Sequence, residues 1–416
     1  MSHGTAIEMA AGEPHCARWV QQRWLIDNII RSNGVEFDQG RLSVIQALAG
    51  VEIAPEIAML KSRMQKFDDI APLLEAQARR REAKAVTMEG EGNLASAAEN
   101  YFIASHYWAT AQWPILQNND LNRFYNDKKR ECYLSFGRLA EHHVEAVWIP
   151  FQGKKLPGWL HLPPGYKSGK LPAVVVISGM DGYKERDTPL YGDRWLRRGM
   201  AVLAVDGPGQ YESAVLGIPV TVPAWLEAGR AMYEWLAARP EIDAERIGIS
   251  GRSFGSFFAT IAMAGEPRYR AGVVSGTIHE PGCKSIFEEA PPTFKRRFMY
   301  MAGYRDEVAF DEFSKTLTWE GHAQNIRAPY LCITGEFDAL SPLQHTENLF
   351  KVLAGPKVLV VYQGAGHAVS GVPSANLGPY SPTFMTDWLA ARLAGKPVAS
   401  ERWIVDANGK VDRKLF

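Results

Sequence analysis

Cysteine is scarce in this chain: four residues in 416, Cys16, Cys132, Cys283 and Cys332, with no C-x-x-C spacing among them. That scatter excludes a disulfide framework and a cysteine-based zinc site, and a reducing cytoplasm fits it best. An excess of either charge is missing too, since lysine plus arginine equals aspartate plus glutamate at 46 each. The balance removes the electrostatic case for nucleic acid or an anionic membrane surface as a partner and leaves small-molecule substrates. No apolar run approaches the roughly 18 residues that a spanning helix needs. The opening stretch "MSHGTAIEMAAGEPHC" has no apolar segment behind a basic one, so a soluble, unexported protein is expected. Internal repeats and low-complexity linkers are also lacking.

What is present is ordinary globular material, 46% hydrophobic and 22% charged, long enough for one large domain and a smaller one. From about residue 15 to 140 the apolar residues recur at helical spacing. "PEIAMLKSRMQKFDDIAPLLEAQARRREAKA" is amphipathic, with Arg79, Arg80 and Arg81 expected on a solvated face. "GNLASAAENYFIASHYWATAQWPIL" aligns Tyr101, Ser105, Trp108 and Gln112 on one side, a stripe whose default role is core packing.

Near "EAVWIPFQGKKLPGWLHLPPGYKSGKLPAVVVISG" the period changes to two, with a turn signal at Gly153 to Lys155. A boundary near residue 142 follows, dividing a helical N-terminal domain (1–142) from a second domain (143–416). Short β-branched runs then appear at Ala173–Ile177, Ala201–Val205, Ile247–Ser250, Gly272–Ser275, Tyr330–Ile333 and Val358–Val361, mostly separated by helical segments. The expected fold class is α/β, a mostly parallel sheet with crossover helices, preceded by the α-helical domain. The aromatic, charged stretch from His279 to about Asn325 exceeds what a crossover needs, and is either a helical insertion over the active face or a decorated crossover.

The segment "RIGISGRSFGSFFATIAMAG" carries the chemistry. G-x-S-x-G alone is a weak signal, but here Ser253 leaves an apolar strand and opens an apolar helix, the setting of a nucleophile elbow. Such a serine needs a base, and the base an orienting acid. Asp338 follows the strand "PYLCIT" and His367 follows "KVLVVY". Carboxyl ends of parallel strands share one edge, so the three can converge, with Glu336 as the alternative acid. The amides of Phe254 and Met180 are the candidate oxyanion donors. His345 is expected to be structural or exposed, and His142 and His143 have no metal-ligand spacing. Glu280, beside His279 at the same edge, either lines a pocket or caps a helix; Tyr107, Trp108 and Trp113 are candidate pocket walls. No metal or cofactor is called for.

Together the helical segment at residues 92–116, "ISGMDGYKE", "DGPGQYES", "GRSFGS", "GEFDALSP" and "GAGH" resemble the α/β-hydrolases related to 2,6-dihydroxypseudooxynicotine hydrolase. Fungal polyketide-shortening hydrolases and the fermentation-respiration switch proteins are similar. The resemblance spans about residues 90–395. It implies an α/β-hydrolase core, a helical domain covering its active face and a homodimer. It also implies hydrolysis of a carbon-carbon bond beside a ketone, or of an ester, with Ser253, Asp338 and His367 as the triad. Ser178 stands where many hydrolases have histidine, and Phe254 is bulkier than many residues after the nucleophile. Carboxylesterase activity is the alternative, and a non-catalytic regulator on the same scaffold a further one.

Overall fold

In the computed structural model, which describes residues 12–416, the chain is helical up to residue 139 and builds one sheet thereafter. The first part contains α1 (Ala17–Asn33), α2 (Leu42–Ala49), α3 (Ala54–Arg63), α4 (Ile70–Gly90), α5 (Leu94–Gln112) and α6 (Asp120–Leu139). The amphipathic stretch read above as one segment is broken between α3 and α4. There the Asp69 carboxylate accepts the N–H groups of Gln65 and Lys66 at 2.9 and 3.1 Å and turns the chain without glycine or proline. Helix α5 is buried without interruption from Asn100 to Gln112, so its stripe of large residues is core on every side. Of the three consecutive arginines, Arg79 and Arg80 face solvent, whereas Arg81 turns inward to Glu56 and Asn100.

The sheet has ten strands in the order β1-β2-β4-β3-β5-β6-β7-β8-β9-β10: β1 Val144–Phe151, β2 Lys154–His161, β3 Leu171–Ile177, β4 Ala201–Val205, β5 Ile242–Ser253, β6 Ala271–Thr277, β7 Tyr330–Gly335, β8 Lys357–Tyr362, β9 Glu401–Val405 and β10 Val411–Leu415. Strands from β4 to β9 in that order run parallel, and the antiparallel pairs lie at the edges. The first hairpin turns at Gln152 and Gly153, both at positive φ (46° and 71°), one residue earlier than the sequence signal. β9 and β10 lie beyond the last strand expected from the sequence. Their outer member, "VDRKL", is almost wholly exposed and charged, as an edge strand is, so an apolar-run criterion passes over it.

Helices α7 (Tyr211–Val215), α8 (Val222–Ala237) and α9 (Phe254–Gly265) follow β4 and β5. α10 (Pro292–Ala302) and α11 (Glu307–Ser314) fill the long β6–β7 connection; α12 (Leu343–Val352), α13 (Ser374–Leu377) and α14 (Ser381–Leu393) follow β7 and β8. The β6–β7 segment is helical and packs both against the N-terminal region and, through Phe287 and Phe298, against Phe254 of the elbow, while none of its residues lines the cleft. Arg18 donates to the carbonyls of Phe287 and Ala290, Thr293 donates to Asp38, and Arg296 pairs with Glu13. The core of the N-terminal helices extends into the sheet region through Trp159, Tyr183 and Tyr211.

Candidate active site

The last residue of β5 is Ser253 itself, held at φ 57° and ψ −129°, a region that costs a non-glycine residue on the order of 1–3 kcal/mol. The flanking glycines are required by contact. A Cβ on Gly251 would sit 2.0 Å from the carbonyl oxygen of Gly255, and one on Gly255 would sit 2.3 Å from that of Ile177. The turn therefore closes only with this spacing, and it leaves the serine half-buried at the carboxyl edge of the sheet.

His367, in the loop after β8, lies with Nε2 2.9 Å from Ser253 Oγ and Nδ1 2.8 Å from Asp338 Oδ2. Asp338 is buried, and its other oxygen accepts the Leu340 N–H at 3.0 Å, which fixes the carboxylate. Glu336, the alternative acid, instead accepts the Gly364 N–H at 3.0 Å and ties the two loops together. The N–H groups of Phe254 and Met180 donate to no other described residue. The bulk of Phe254 points away from the serine, stacked with Phe258 and Phe287 and packed against Phe298.

One residue the sequence reading passed over supports this edge. Gln210, from "DGPGQ", donates Nε2 to the carbonyls of Ser178 and Gly179 at 2.6 and 3.3 Å and accepts the Gly207 N–H at 2.9 Å. It fixes the loop that carries Met180, and Gly179 of that loop touches the serine: a Cβ there would sit 2.9 Å from Ser253 Cβ. The glutamine following the glycine pair was the available signal.

Beside His367 and Arg252 opens a cleft of about 500 Å³, whose lining does not include Ser253, Phe254 or Met180. Gly179 and His367 form one wall, α2 another through Ser43, Val44 and Ala47, and the β3–β4 loop a third through Arg186, Asp187 and Asp193. Its remaining lining includes Arg252 and Tyr380. Burial pushes the Asp187 carboxyl up to about 8 and that of Asp193 up to about 6.

Four candidate binding residues stand elsewhere. Tyr107 donates to Glu56 at 3.0 Å and Trp108 to Glu82 at 3.2 Å, both inside the helical bundle, where packing outweighs any contact with the cleft. Trp113 donates to Asp181 at 2.6 Å under the Arg41 guanidinium, 3.6 Å from the ring centre, in a small neighbouring pocket. Glu280 accepts the Ser285 N–H at 2.7 Å and faces His345 at 3.8 Å, so it caps the start of the β6–β7 insertion and does not line the cleft. His279 is fully buried against Thr346, and desolvation pulls its pKa down to about 3. His142 stacks on His161, and among the described residues no three His, Cys, Asp or Glu side chains converge as a metal site would require.

A model of the esterase FrsA-like family matches residues 76–301, more than half of the chain. The chain belongs to the FrsA-like esterase family. Within the same superfamily of folds, a prolyl oligopeptidase family model matches residues 230–396. The α/β-hydrolase ucsC of Acremonium is 33% identical over 249 residues, covering 54% of this chain and 49% of its own. The esterase FrsA of Vibrio cholerae is 28% identical over 189 residues, 44% of each chain. The chain thus spans about half the length of the curated relatives it matches. Among solved structures, 2,6-dihydroxy-pseudo-oxynicotine hydrolase superposes with a TM-score of 0.72 at 23% identity, covering 86% of this chain and 98% of that one. That likeness establishes the α/β-hydrolase fold together with its preceding helices. No helix of the described residues is long and apolar enough to cross a membrane.

Proposed function

We propose that the FrsA-like chain is a serine hydrolase of small carbonyl compounds with an aromatic or apolar body. Ser253 is the nucleophile, His367 its base and Asp338 the orienting acid. The observation that carries this reading is the unbroken hydrogen-bonded line of these three side chains, ending on a serine at a strained elbow. As Oγ attacks the carbonyl carbon, His367 Nε2 takes its proton, and Asp338 holds the tautomer that leaves Nε2 free to do so. Charge developing on the carbonyl oxygen is met by the amides of Phe254 and Met180. The imidazolium then protonates the leaving group, and water repeats the sequence to release the acyl group from the serine.

An ester asks for nothing further. A carbon-carbon bond beside a ketone asks for a proton donor to the departing carbon, and one feature favours this version. Asp187 lines the cleft, accepts from Ser178 at 2.9 Å and, with its pKa near 8, holds a proton at neutral pH. The homodimer implied by the resemblance belongs to the same proposal and is read by light scattering.

The test pairs an aryl 1,3-diketone with the ester of matching groups, each given to wild type and to Ser253→Ala. The expected outcome is a loss of at least about a thousandfold in kcat/KM on substitution, with the fold retained. A nearly active variant sinks the assignment. Diketone cleavage by wild type supports carbon-carbon hydrolysis, and turnover of the ester alone makes the protein a carboxylesterase.

A further inference from the structure

Three arginines line the cleft, Arg186, Arg194 and Arg252, with no anionic partner from the chain. Arg252 immediately precedes the serine, and Arg186 lies in the β3–β4 loop. Neither side chain makes a hydrogen bond or ion pair with any described residue. Arg41 meets Asp38 at 2.6 Å, Arg81 meets Glu56 and Arg296 meets Glu13, whereas the buried Arg297 rests on the Trp113 carbonyl and the rings of Tyr211 and Tyr300. Arg252 and Arg186 are moreover close enough to repel. Arg252 is exposed at the cleft and Arg186 half-buried, and the Arg186 charge counts against that of Arg252. The nearby acids do not offset this. Asp187 stays protonated at neutral pH and is occupied with Ser178, and Asp193 accepts the N–H groups of Trp195 and Leu196 at 2.7 and 2.9 Å. Tyr380, on the same wall, lies under the Arg194 guanidinium, which adds further positive charge at the rim.

A cleft lined by unpaired guanidiniums of one sign favours a ligand of the other. We propose that Arg186 and Arg252 form a clamp for a carboxylate carried by the substrate in addition to its reacting carbonyl. This rests on the serine-hydrolase reading and sharpens it: the substrate is an acidic acyl compound, not a neutral one. The planar guanidinium fork matches the two oxygens of a carboxylate. His367 lines the same cleft, so the clamped molecule reaches the serine's base.

The experiment compares 4-nitrophenyl hexanoate with 4-nitrophenyl hydrogen adipate, which differ only in a terminal carboxylate. Wild type is expected to prefer the adipate in kcat/KM by about tenfold or more, as charged hydrogen bonds permit. Arg186→Met and Arg252→Met are each expected to bring that ratio toward one, chiefly through KM. A wild-type ratio of one or below, or a ratio unchanged in both variants, overturns the clamp. A second arm removes any dependence on turnover by titrating adipate and inorganic phosphate into Ser253→Ala by calorimetry. Adipate binding that disappears when Arg252→Met is added supports the clamp. Absent adipate binding, binding equal in the double variant, or tighter binding of phosphate overturns it. Should Ser253→Ala itself turn over ester, the hydrolase reading falls while the titration still decides the clamp.

Discussion

Two groups of charges, which meet in sequence at Lys184, Glu185 and Arg186, are handled in opposite ways. Under the N-terminal helices, Lys129, Lys184, Glu185, Asp206 and Glu212 are all buried. Lys184 Nζ reaches Glu185, Glu212 and Asp206 at 2.8, 2.5 and 3.4 Å, and Lys129 stands 3.8 Å from Glu185. Trp159 and Arg130 add bonds at 3.0 and 3.1 Å. In the cleft, Arg186 and Arg252 have no such partners. The buried group is paired throughout, whereas the cleft leaves its arginines unpaired.

The largest effect that tests this contrast is on stability. Lys184→Met strips a cation from three buried carboxylates and is expected to cost about 3–5 kcal/mol, or to yield insoluble protein. Arg186→Met, two residues along, is expected to stay within about 0.5 kcal/mol of wild type. Urea midpoints of the two variants decide it, and equal losses would break the comparison.

Next in size is a difference of sign with pH. Lys129 and Lys184 draw the Glu185 carboxyl down to about 2, so its contribution is present above the ordinary value near 4.5 and fades as pH falls toward 2. Asp187 is shifted the other way, to about 8. Below about pH 4 the folded and unfolded chains both hold that proton; as pH rises toward 8 only the fold does, and stability declines. Melting curves from pH 4 to 8 are expected to slope down less in Asp187→Asn than in wild type. Parallel curves would remove Asp187 from the account.

The smallest effect concerns strain instead of charge. Ser253→Gly relieves the positive φ and is expected to raise Tm by about 1–2 °C while abolishing turnover. A lowered Tm would mean that the hydrogen bond to His367 outweighs the strain.

Much of this architecture is legible in residue order. Ser253, Asp338 and His367 each stand directly after a β-branched run, and parallel pairing delivers those positions to one edge, where the structure joins them by hydrogen bonds. The cleft was not legible. Arg186 and Arg252 are distinctive only because nothing pairs with them, and pairing is a property of three-dimensional neighbours. Glu280 shares the strand-end position of Asp338, yet the chain after it turns back so that Ser285 claims its carboxylate. The edge strand β10 was hidden by its charge, although "DANGK" between it and β9 is a turn signal of the ordinary kind.

Helix α5, enclosed along most of its length, bears on how such a chain can change over generations. A helix without a wet side has no permissive surface on which mutations accumulate harmlessly, so the helical half drifts only in step with what surrounds it. Because Trp159, Tyr183 and Tyr211 of the other half belong to that surrounding, trimming the chain at residue 142 would strand apolar side chains on both pieces.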